Sequence, residues 1–210
     1  MWSDYLCPWC YVGRDRTLRM ERLGVRVTPM PYELHPDIPP EGRRLRAHGR
    51  VAHVFDRIEF ECEAAGLPFR RPTRVPNTRR ALETAEVVRS RSKSAFAALD
   101  DAFFRAHFVD GLALDDVDVL DGLVDAAGLE AKDVRAGVVA GEGRSAVDRS
   151  MRRARDAGVT ATPAWFLDGR LVIPGALPAE TMQRWVERMQ ATADAEASGG
   201  TATSTTLRGH

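Results

Sequence analysis

The chain has 210 residues, of which 44% are hydrophobic, so it can form one compact domain or a small domain with an insertion. Lys+Arg and Asp+Glu both number 30, so the chain has no net positive charge that would attract nucleic acid or an anionic membrane surface. No secretory leader and no membrane-spanning run is recognisable, and three cysteines are too few for a secreted disulfide framework. We therefore expect a cytoplasmic protein without nucleic-acid or membrane partners.

The first predicted element is a strand that ends before Cys7. Residues 2–6 have the pattern of a strand end, yet only six residues precede Cys7. A central strand usually has about five or six residues. We therefore expect either that the natural start lies upstream of Met1 or that a short central strand is tolerated.

A Cys-Pro-Trp-Cys motif follows, at the opening of a predicted helix that stops at Gly24. Cys7 and Cys10 can form one reversible disulfide, and Pro8 suits the first helical turn because its missing N–H removes no bond there. The free N–H groups and dipole of that turn favour a thiolate. The motif predicts Cys7 as a solvent-facing nucleophile of lowered pKa and Cys10 as the shielded resolving thiol, with Pro8 and Trp9 lining the substrate groove.

Half of a zinc site is the competing interpretation of the cysteine pair. Zinc takes about four nitrogen or sulfur ligands, and the sequence has no second cysteine pair. His35, His48, His53 and His107 lack a compact ligand spacing, so each is interpreted as a surface or core residue and no metal is predicted. Cys62, on the apolar face of a predicted helix, is interpreted as a small buried hydrophobe.

The segment after Gly24 predicts a second strand. Val25 to Thr28 alternate apolar and polar residues, and the pattern continues beyond Pro29 toward Leu34. The result is a β-α-β unit with parallel strands. A proline-rich loop over 35–42 then marks a domain boundary.

Residues 42–157 have helical periodicity throughout, and no strand is predicted there. The expected helices are one ending at Gly66, one long helix from Pro76-Asn77-Thr78 to Phe104, one capped by Leu114-Asp115-Asp116 and ending at Gly128, and shorter ones over 131–139 and 144–157.

The pattern returns to β at Gly158. Thr162-Pro163 leads into a strand over 164–167, Asp168-Gly169 predicts a hairpin turn, and a strand over 171–173 follows. A last helix runs to Met189, and residues 191–210 are predicted to be disordered. The expected organisation is an α/β domain of residues 1–41 and 158–190, interrupted by an all-helical insertion of residues 42–157.

This order of elements resembles the thioredoxin fold with the helical insertion of the DsbA family. The resemblance covers residues 1–190 and is most specific to the FrnE-like branch, which is related to the glutathione-dependent 2-hydroxychromene-2-carboxylate isomerases. Its motifs are Trp2-Ser3-Asp4, the Cys-Pro-Trp-Cys helix start with Tyr11-Val12-Gly13, Glu33-Leu34-His35-Pro36, Pro39-Pro40-Glu41-Gly42 and Gly175-Ala176-Leu177-Pro178.

The resemblance implies roles for two further residues. Pro163 would be a cis-proline packed against the cysteine pair, and the backbone of Thr162 would pair with substrate. X–Pro is the only common cis peptide. A trans proline entering an edge strand is the alternative.

Three functions are compatible with these features. The first is a thiol–disulfide oxidoreductase with protein disulfide oxidoreductase activity, in which Cys7 attacks a protein or small-molecule disulfide, Cys10 releases the product and cellular thiols recycle the pair without a resident cofactor. The second is a glutathione-dependent isomerase or transferase acting on an aromatic or polyketide-type small molecule. The third is a metal or chaperone-like binding module.

Two departures from the related families bear on these functions. The isomerases carry serine where this chain has Cys7, which argues against isomerisation. DsbA carries histidine where this chain has Trp9, so weaker oxidising power is expected. Glutathione is a candidate co-substrate.

Overall fold

A computed structural model describes residues 1–46, 49–167 and 171–199, and for residues 50, 167, 171, 172 and 193–199 it describes the backbone alone. The chain divides into two compact units, Met1–Asp15 with Thr28–Ala176 and Arg16–Val27 with Leu177–His210. The domain division at residues 41 and 157 stays a prediction. No helix of the described residues is long and apolar enough to cross a membrane.

The described residues form six strands, eight α-helices and one π-helix. In chain order they are β1 (Trp2–Ser3), α1 (Pro8–Arg22), β2 (Met30–Pro31), β3 (Arg43–Arg44), α2 (Arg50–Ala64), β4 (Arg74–Val75), α3 (Arg79–Arg91), α4 (Lys93–Arg105), the π-helix (Ala106–Asp110), α5 (Val117–Ala126), α6 (Ala131–Val139), α7 (Glu142–Asp156), β5 (Ala164–Leu167), β6 (Leu171–Pro174) and α8 (Ala179–Gly199).

A four-stranded sheet in the order β2-β1-β5-β6 forms the base of the larger unit. β1 is parallel to β2, which confirms the predicted β-α-β unit, and antiparallel to β5. The strand predicted over 25–28 is wrong, because β1 pairs with Met30 and Pro31, which lie further along the chain. Met30 and Tyr32 donate their N–H groups to the carbonyls of Met1 and Ser3 at 2.8 and 2.9 Å.

The β5–β6 pair is the predicted hairpin. Its strands pair antiparallel from Ala164 opposite Pro174 to Leu167 opposite Leu171. The predicted turn at Asp168-Gly169 lies outside the described residues. On the sheet, the fully buried Trp2 packs against Phe166 with ring centroids 5.3 Å apart.

The long helix predicted from residue 78 to 104 is wrong, because Ser92 divides it into α3 and α4. Ser92 has an extended backbone, with φ −152° and ψ 119°, and its side chain accepts a hydrogen bond from Ala95 N–H. A serine in that position is an N-cap. The break lets two shorter helices pack on each other rather than continue in line.

The region predicted to be all-helical also contains a short two-stranded sheet. β3 and β4 pair antiparallel, with Arg43 opposite Val75 and Arg44 opposite Arg74. The prediction of no strand over 42–157 is therefore wrong. Strands of two residues, rich in arginine, have no alternation for a sequence pattern to detect.

The remaining helices agree closely with their sequence signals. α2 is followed by Gly66 at φ 66°, and α6 has the predicted bounds. α5 begins after Asp116, whose carboxylate accepts from the Asp118 N–H at 2.9 Å. α7 begins at Glu142, two residues earlier than predicted.

The second unit contains the end of α1 and all of α8. α1 ends before Gly24, which has φ 83° as predicted for a residue after a helix. α8 extends to Gly199, so residues 191–199 are helical and the disorder predicted for them is wrong. Alanine is frequent there and is the best helix former. The rest of the predicted tail, residues 200–210, lies outside the described residues.

Candidate active site

The cysteine pair lies where β1 leads into α1. The Cys7 N–H donates to the Asp4 carbonyl at 3.1 Å, and the Cys7 carbonyl accepts from Cys10 N–H at 3.0 Å. Pro8 is the first residue of α1, where its missing N–H costs no helical bond. The two cysteines are thereby held one helical turn apart.

Both cysteines are reduced thiols inside the main hydrophobic core of the larger unit. Cys7 is 3% exposed and Cys10 is fully buried. Cys10 is more deeply buried than Cys7, as predicted, but the prediction that the Cys7 sulfur faces solvent is wrong. The core that covers it is rich in aromatic rings: Tyr5 packs edge-on against Phe103 and Phe104, with centroids 5.0 Å apart in both pairs.

The two thiols differ in acidity. A hydrogen bond from the Cys10 side chain lowers the pKa of Cys7 below its ordinary value of 9.0, although burial opposes this. Burial raises the pKa of Cys10 well above that value, and its hydrogen bond to Cys7 adds to the effect. The direction predicted for Cys7 is confirmed: the neighbouring thiol is the largest cause, and the Cys10 N–H in the first turn of α1 also lowers this pKa.

The Thr162–Pro163 peptide bond is cis, as the family resemblance implied. The Cys7 thiol donates to the Thr162 carbonyl at 3.4 Å, which joins two segments 155 residues apart. Pro163 packs against α1, since a Cβ added to Gly13 would lie 3.6 Å from the Pro163 Cγ. On the other side, the Pro163 carbonyl accepts from the Gly175 N–H at 2.7 Å.

The Thr162 hydroxyl is buried and acts on the Cys7 sulfur. Thr162 is 7% exposed, and its Oγ1 makes no hydrogen bond of ordinary geometry among the described residues. The Thr162 side chain still adds to the larger effect of the Cys10 side chain in lowering the pKa of Cys7.

Trp9, between the two cysteines, is half-buried and packs against the same core. The guanidinium of Arg57, on α2, lies over its ring, 5.4 Å from the centroid. Pro8 is also half-buried. These two residues therefore form the partly exposed edge of the site.

Asp4 is a site residue that sequence reasoning did not identify. It is fully buried, and burial raises its pKa to about 6 against hydrogen bonds that lower it. Its Oδ1 accepts from the Thr78 hydroxyl at 2.6 Å and from the Leu6 N–H at 3.3 Å, and its Oδ2 accepts from the Leu34 N–H at 2.7 Å. The sequence signal that could have identified Asp4 is a carboxylate in an apolar segment, three residues before Cys7.

Asp4 therefore connects three parts of the larger unit. Its oxygens join the loop before Cys7, the segment after β2 and the start of α3. The carboxylate also opposes ionisation of Cys7 through its charge.

A second polar network anchors the same loop to α4. The Tyr5 hydroxyl donates to Asp100 at 2.9 Å, and Arg14 pairs with Asp100 at 3.0 Å and with Asp101 at 2.6 Å. Arg14 also lies over the Phe104 ring, 5.3 Å from its centroid. The residues that flank the cysteine pair are thus fixed on both sides.

The sequence model of the DSBA-like thioredoxin domain matches residues 1–187. The chain belongs to this family. The recognised family is confirmed, and so is the α/β thioredoxin-like fold with a helical insertion.

Three solved structures are similar to this DSBA-like thioredoxin domain. A probable DsbA oxidoreductase of Streptomyces coelicolor is 27% identical, with a TM-score of 0.78 over 99% of this chain and 92% of that chain. A 2-hydroxychromene-2-carboxylate isomerase is 18% identical, with a TM-score of 0.73 over 94% and 96%. The cytosolic disulfide reductase DsbM of Pseudomonas aeruginosa, solved with GSH, is 19% identical, with a TM-score of 0.62 over 90% and 97%. The last two likenesses establish the fold alone.

The other residues considered from sequence lie away from the cysteine pair or in the core. Cys62 is 1% exposed, as predicted for a small buried hydrophobe. His53 is largely exposed and His107 is buried. His48 lies outside the described residues, within which no three possible metal ligands come together.

Proposed function

We propose that this DSBA-like thioredoxin domain is a thiol–disulfide oxidoreductase with Cys7 and Cys10 as its redox pair. The observation that carries the proposal is the position of two free thiols one helical turn apart at the start of α1, with the Cys7 thiol bonded to the carbonyl that precedes the cis Pro163. The pKa of Cys7 is lowered and that of Cys10 is raised, which are the directions that this chemistry needs. A low-pKa thiol supplies the attacking thiolate, and a high-pKa neighbour stays protonated until it is needed.

The reaction proceeds in two exchanges. The Cys7 thiolate attacks one sulfur of a substrate disulfide, forms a mixed disulfide and expels the first substrate thiolate. Cys10 then loses its proton and attacks the Cys7 sulfur, which forms the Cys7–Cys10 disulfide and releases the second thiolate. The protons of the two cysteines go to the two leaving thiolates. The dithiol is oxidised by two electrons, and the substrate disulfide is reduced by two.

Thr162 and Pro163 have positioning roles in this proposal. In the reduced protein the Thr162 carbonyl accepts from the Cys7 thiol. In the mixed disulfide that donor no longer exists, so the carbonyl is available to an N–H of the substrate. Pro163 cannot donate a hydrogen bond, and it packs against α1 directly after the residue whose carbonyl accepts from Cys7.

We place the protein in the cytoplasm, with cellular thiols as the reductant and glutathione as a co-substrate. The likeness to DsbM, which is named as cytosolic and was solved with GSH, supports this assignment. Pro8 and Trp9 are proposed to contact the substrate, since they form the half-buried edge of the site.

The test is equilibration of the purified chain with mixtures of reduced and oxidised glutathione, followed by alkylation and mass spectrometry. We expect Cys7 and Cys10 to be lost as thiols together, while a Cys62→Ala control behaves like the wild type. Cys7→Ser should abolish exchange, and Cys10→Ala should accumulate a mixed disulfide on Cys7. Full exchange activity in Cys7→Ser would contradict the proposal. Non-covalent glutathione binding by the double variant lacking both thiols would instead favour the isomerase or transferase function.

A further inference from the structure

We infer that Arg57 and the face of Trp9 form a carboxylate-binding subsite beside Cys7, and that the redox pair acts on small disulfides that carry carboxylates. The inference rests on the proposed function and adds the chemical class of its substrate. It depends on the charge, exposure and stacking of Arg57 and on the deep burial of Cys7.

Arg57 is an exposed cation that forms no ion pair with the part of the chain that the structure describes. It lies on α2 with its guanidinium over the Trp9 ring, 5.4 Å from the centroid. Two of the acids near it on the helix pair with another residue, because Arg71 lies 2.7 Å from Asp56 and 2.5 Å from Glu59. Among the described residues, no carboxylate lies within ion-pair distance of Arg57.

Stacking leaves the hydrogen-bonding edge of Arg57 available. A guanidinium that lies over an aromatic ring uses its face for the contact, and its N–H groups point outward in its own plane. Two parallel N–H groups in that plane match the two oxygens of a carboxylate. Contact of its face with Trp9 would leave the N–H groups of Arg57 available to an anionic ligand.

The burial of Cys7 favours a small substrate. Only 3% of Cys7 is exposed, so little of this residue is accessible from the surface. A compact molecule with a disulfide and nearby carboxylates can approach such a sulfur more easily than the surface of a folded protein can. Trp9 lies two residues after Cys7, so a carboxylate close to the substrate sulfur would meet Arg57 at the edge of the site.

A charge series of disulfides tests the subsite. The probes are glutathione disulfide, which is anionic, hydroxyethyl disulfide, which is neutral, and cystamine, which is cationic. The rate of Cys7 oxidation is measured near neutral pH by acid quench, alkylation and mass spectrometry. The ratio of wild-type to variant rate for each probe removes the intrinsic reactivity of that probe.

Arg57→Met keeps an apolar side chain against Trp9 and removes the charge. We expect this variant to be oxidised roughly three- to tenfold more slowly by glutathione disulfide and to be oxidised faster by cystamine. Its rate of oxidation by the neutral hydroxyethyl disulfide should change less than about twofold. Arg57→Lys should recover part of the preference for the anion. Arg152→Ala, which removes an exposed arginine on α7, should leave all three ratios near one. The preference for the anion should also decrease with added salt.

The outcomes separate the two proposals. If none of the probes oxidises Cys7, the proposed function is wrong. If all three react and Arg57→Met changes them by the same factor, Arg57 only packs against Trp9, and the substrate inference is wrong while the proposed function stands.

Discussion

The Cys7 sulfur and the Thr162 carbonyl oxygen lie 3.4 Å apart in a hydrogen bond that the thiol donates. This contact exists only while Cys7 is protonated. Ionisation or mixed-disulfide formation removes the donor, so the state of the sulfur determines whether the Thr162 backbone is occupied or available. The redox pair and the predicted substrate-pairing residue are thereby linked through one atom pair.

The acidity of Cys7 should depend on a hydrogen-bond donor at position 10. Because the Cys10 side chain is the largest cause that lowers the pKa of Cys7, Cys10→Ala should raise that pKa. Cys10→Ser keeps a donor and is the matched control, with a smaller rise. Thiolate absorbance and the pH dependence of alkylation of Cys7 measure both variants. Equal pKa values in the alanine and serine variants would show that the thiol hydrogen bond has no role.

Two glycines within helices should respond oppositely to alanine. A Cβ at Gly143, on α7, would meet the Glu83 carbonyl oxygen of α3 at 2.2 Å, whereas a Cβ at Gly122, on α5, meets nothing within 4 Å. Gly143→Ala should force α3 and α7 apart and cost about 1–3 kcal/mol of unfolding free energy. Gly122→Ala should stabilise the protein by up to about 1 kcal/mol.

Urea denaturation of both variants checks this prediction. A Gly143→Ala protein as stable as the wild type would mean that the two helices can separate without loss. The contact lies between α3 and α7, far along the chain from each other, so no local sequence signal revealed it.

The features that sequence could predict are local. The Cys-Pro-Trp-Cys motif, the helix stop at Gly24, the Asp116 cap and the β5–β6 strands each depend on residues within a few positions of one another. The cis Thr162–Pro163 peptide was accessible only through the family resemblance. For the other four features, the same few residues provide both the sequence signal and the local structure.

The features that sequence missed depend on distant partners. The role of Asp4 requires Thr78 and Leu34, and the stacking of Trp9 requires Arg57. The burial of Cys7 likewise comes from side chains of several helices. Such contacts are set by tertiary packing, which no single segment encodes.

Asp4 should make stability depend on pH in an unusual direction for a carboxylate. Its pKa in the folded protein is about 6, above the ordinary value of 3.8, so between these values the folded state holds a proton that the unfolded state has lost. Its contribution to stability is therefore fully present below about pH 4 and is lost as pH rises through about 6. The change can reach about 1.4 kcal/mol per pH unit.

The measurement is the difference in unfolding free energy between wild type and Asp4→Asn from pH 4 to 8. This difference should fall between pH 4 and 6 and then stay constant. Thr78→Val supplies a second check: loss of the hydroxyl that donates to Asp4 should raise the folded-state pKa further, so the fall should still begin near pH 4 but extend to higher pH. A pH-independent difference would mean that Asp4 titrates alike in both states.

Trp9 should set the redox poise of the pair. The reduction potential depends on how well the reduced form is stabilised, chiefly as the Cys7 thiolate, and residue 9 lies beside that sulfur. A histidine there could supply a positive charge or a ring N–H donor, so Trp9→His should lower the pKa of Cys7 and raise the potential, with about 30 mV for each 1.4 kcal/mol of added stabilisation. The wild type should be more reducing than DsbA, whose potential is about −120 mV.

Trp9→Phe is the matched control for this substitution. Phenylalanine keeps an aromatic face for Arg57 but has no N–H donor, so its potential should stay close to that of the wild type. Equilibration of the three proteins against glutathione, with alkylation and mass spectrometry as the readout, gives the potentials directly. Since histidine is the only one of the three side chains that can carry a positive charge beside the thiolate, a rise confined to Trp9→His identifies that charge as the cause. An equal shift in Trp9→His and Trp9→Phe would assign the effect to lost packing of the indole ring, and Trp9 would then have no electrostatic part in setting the potential.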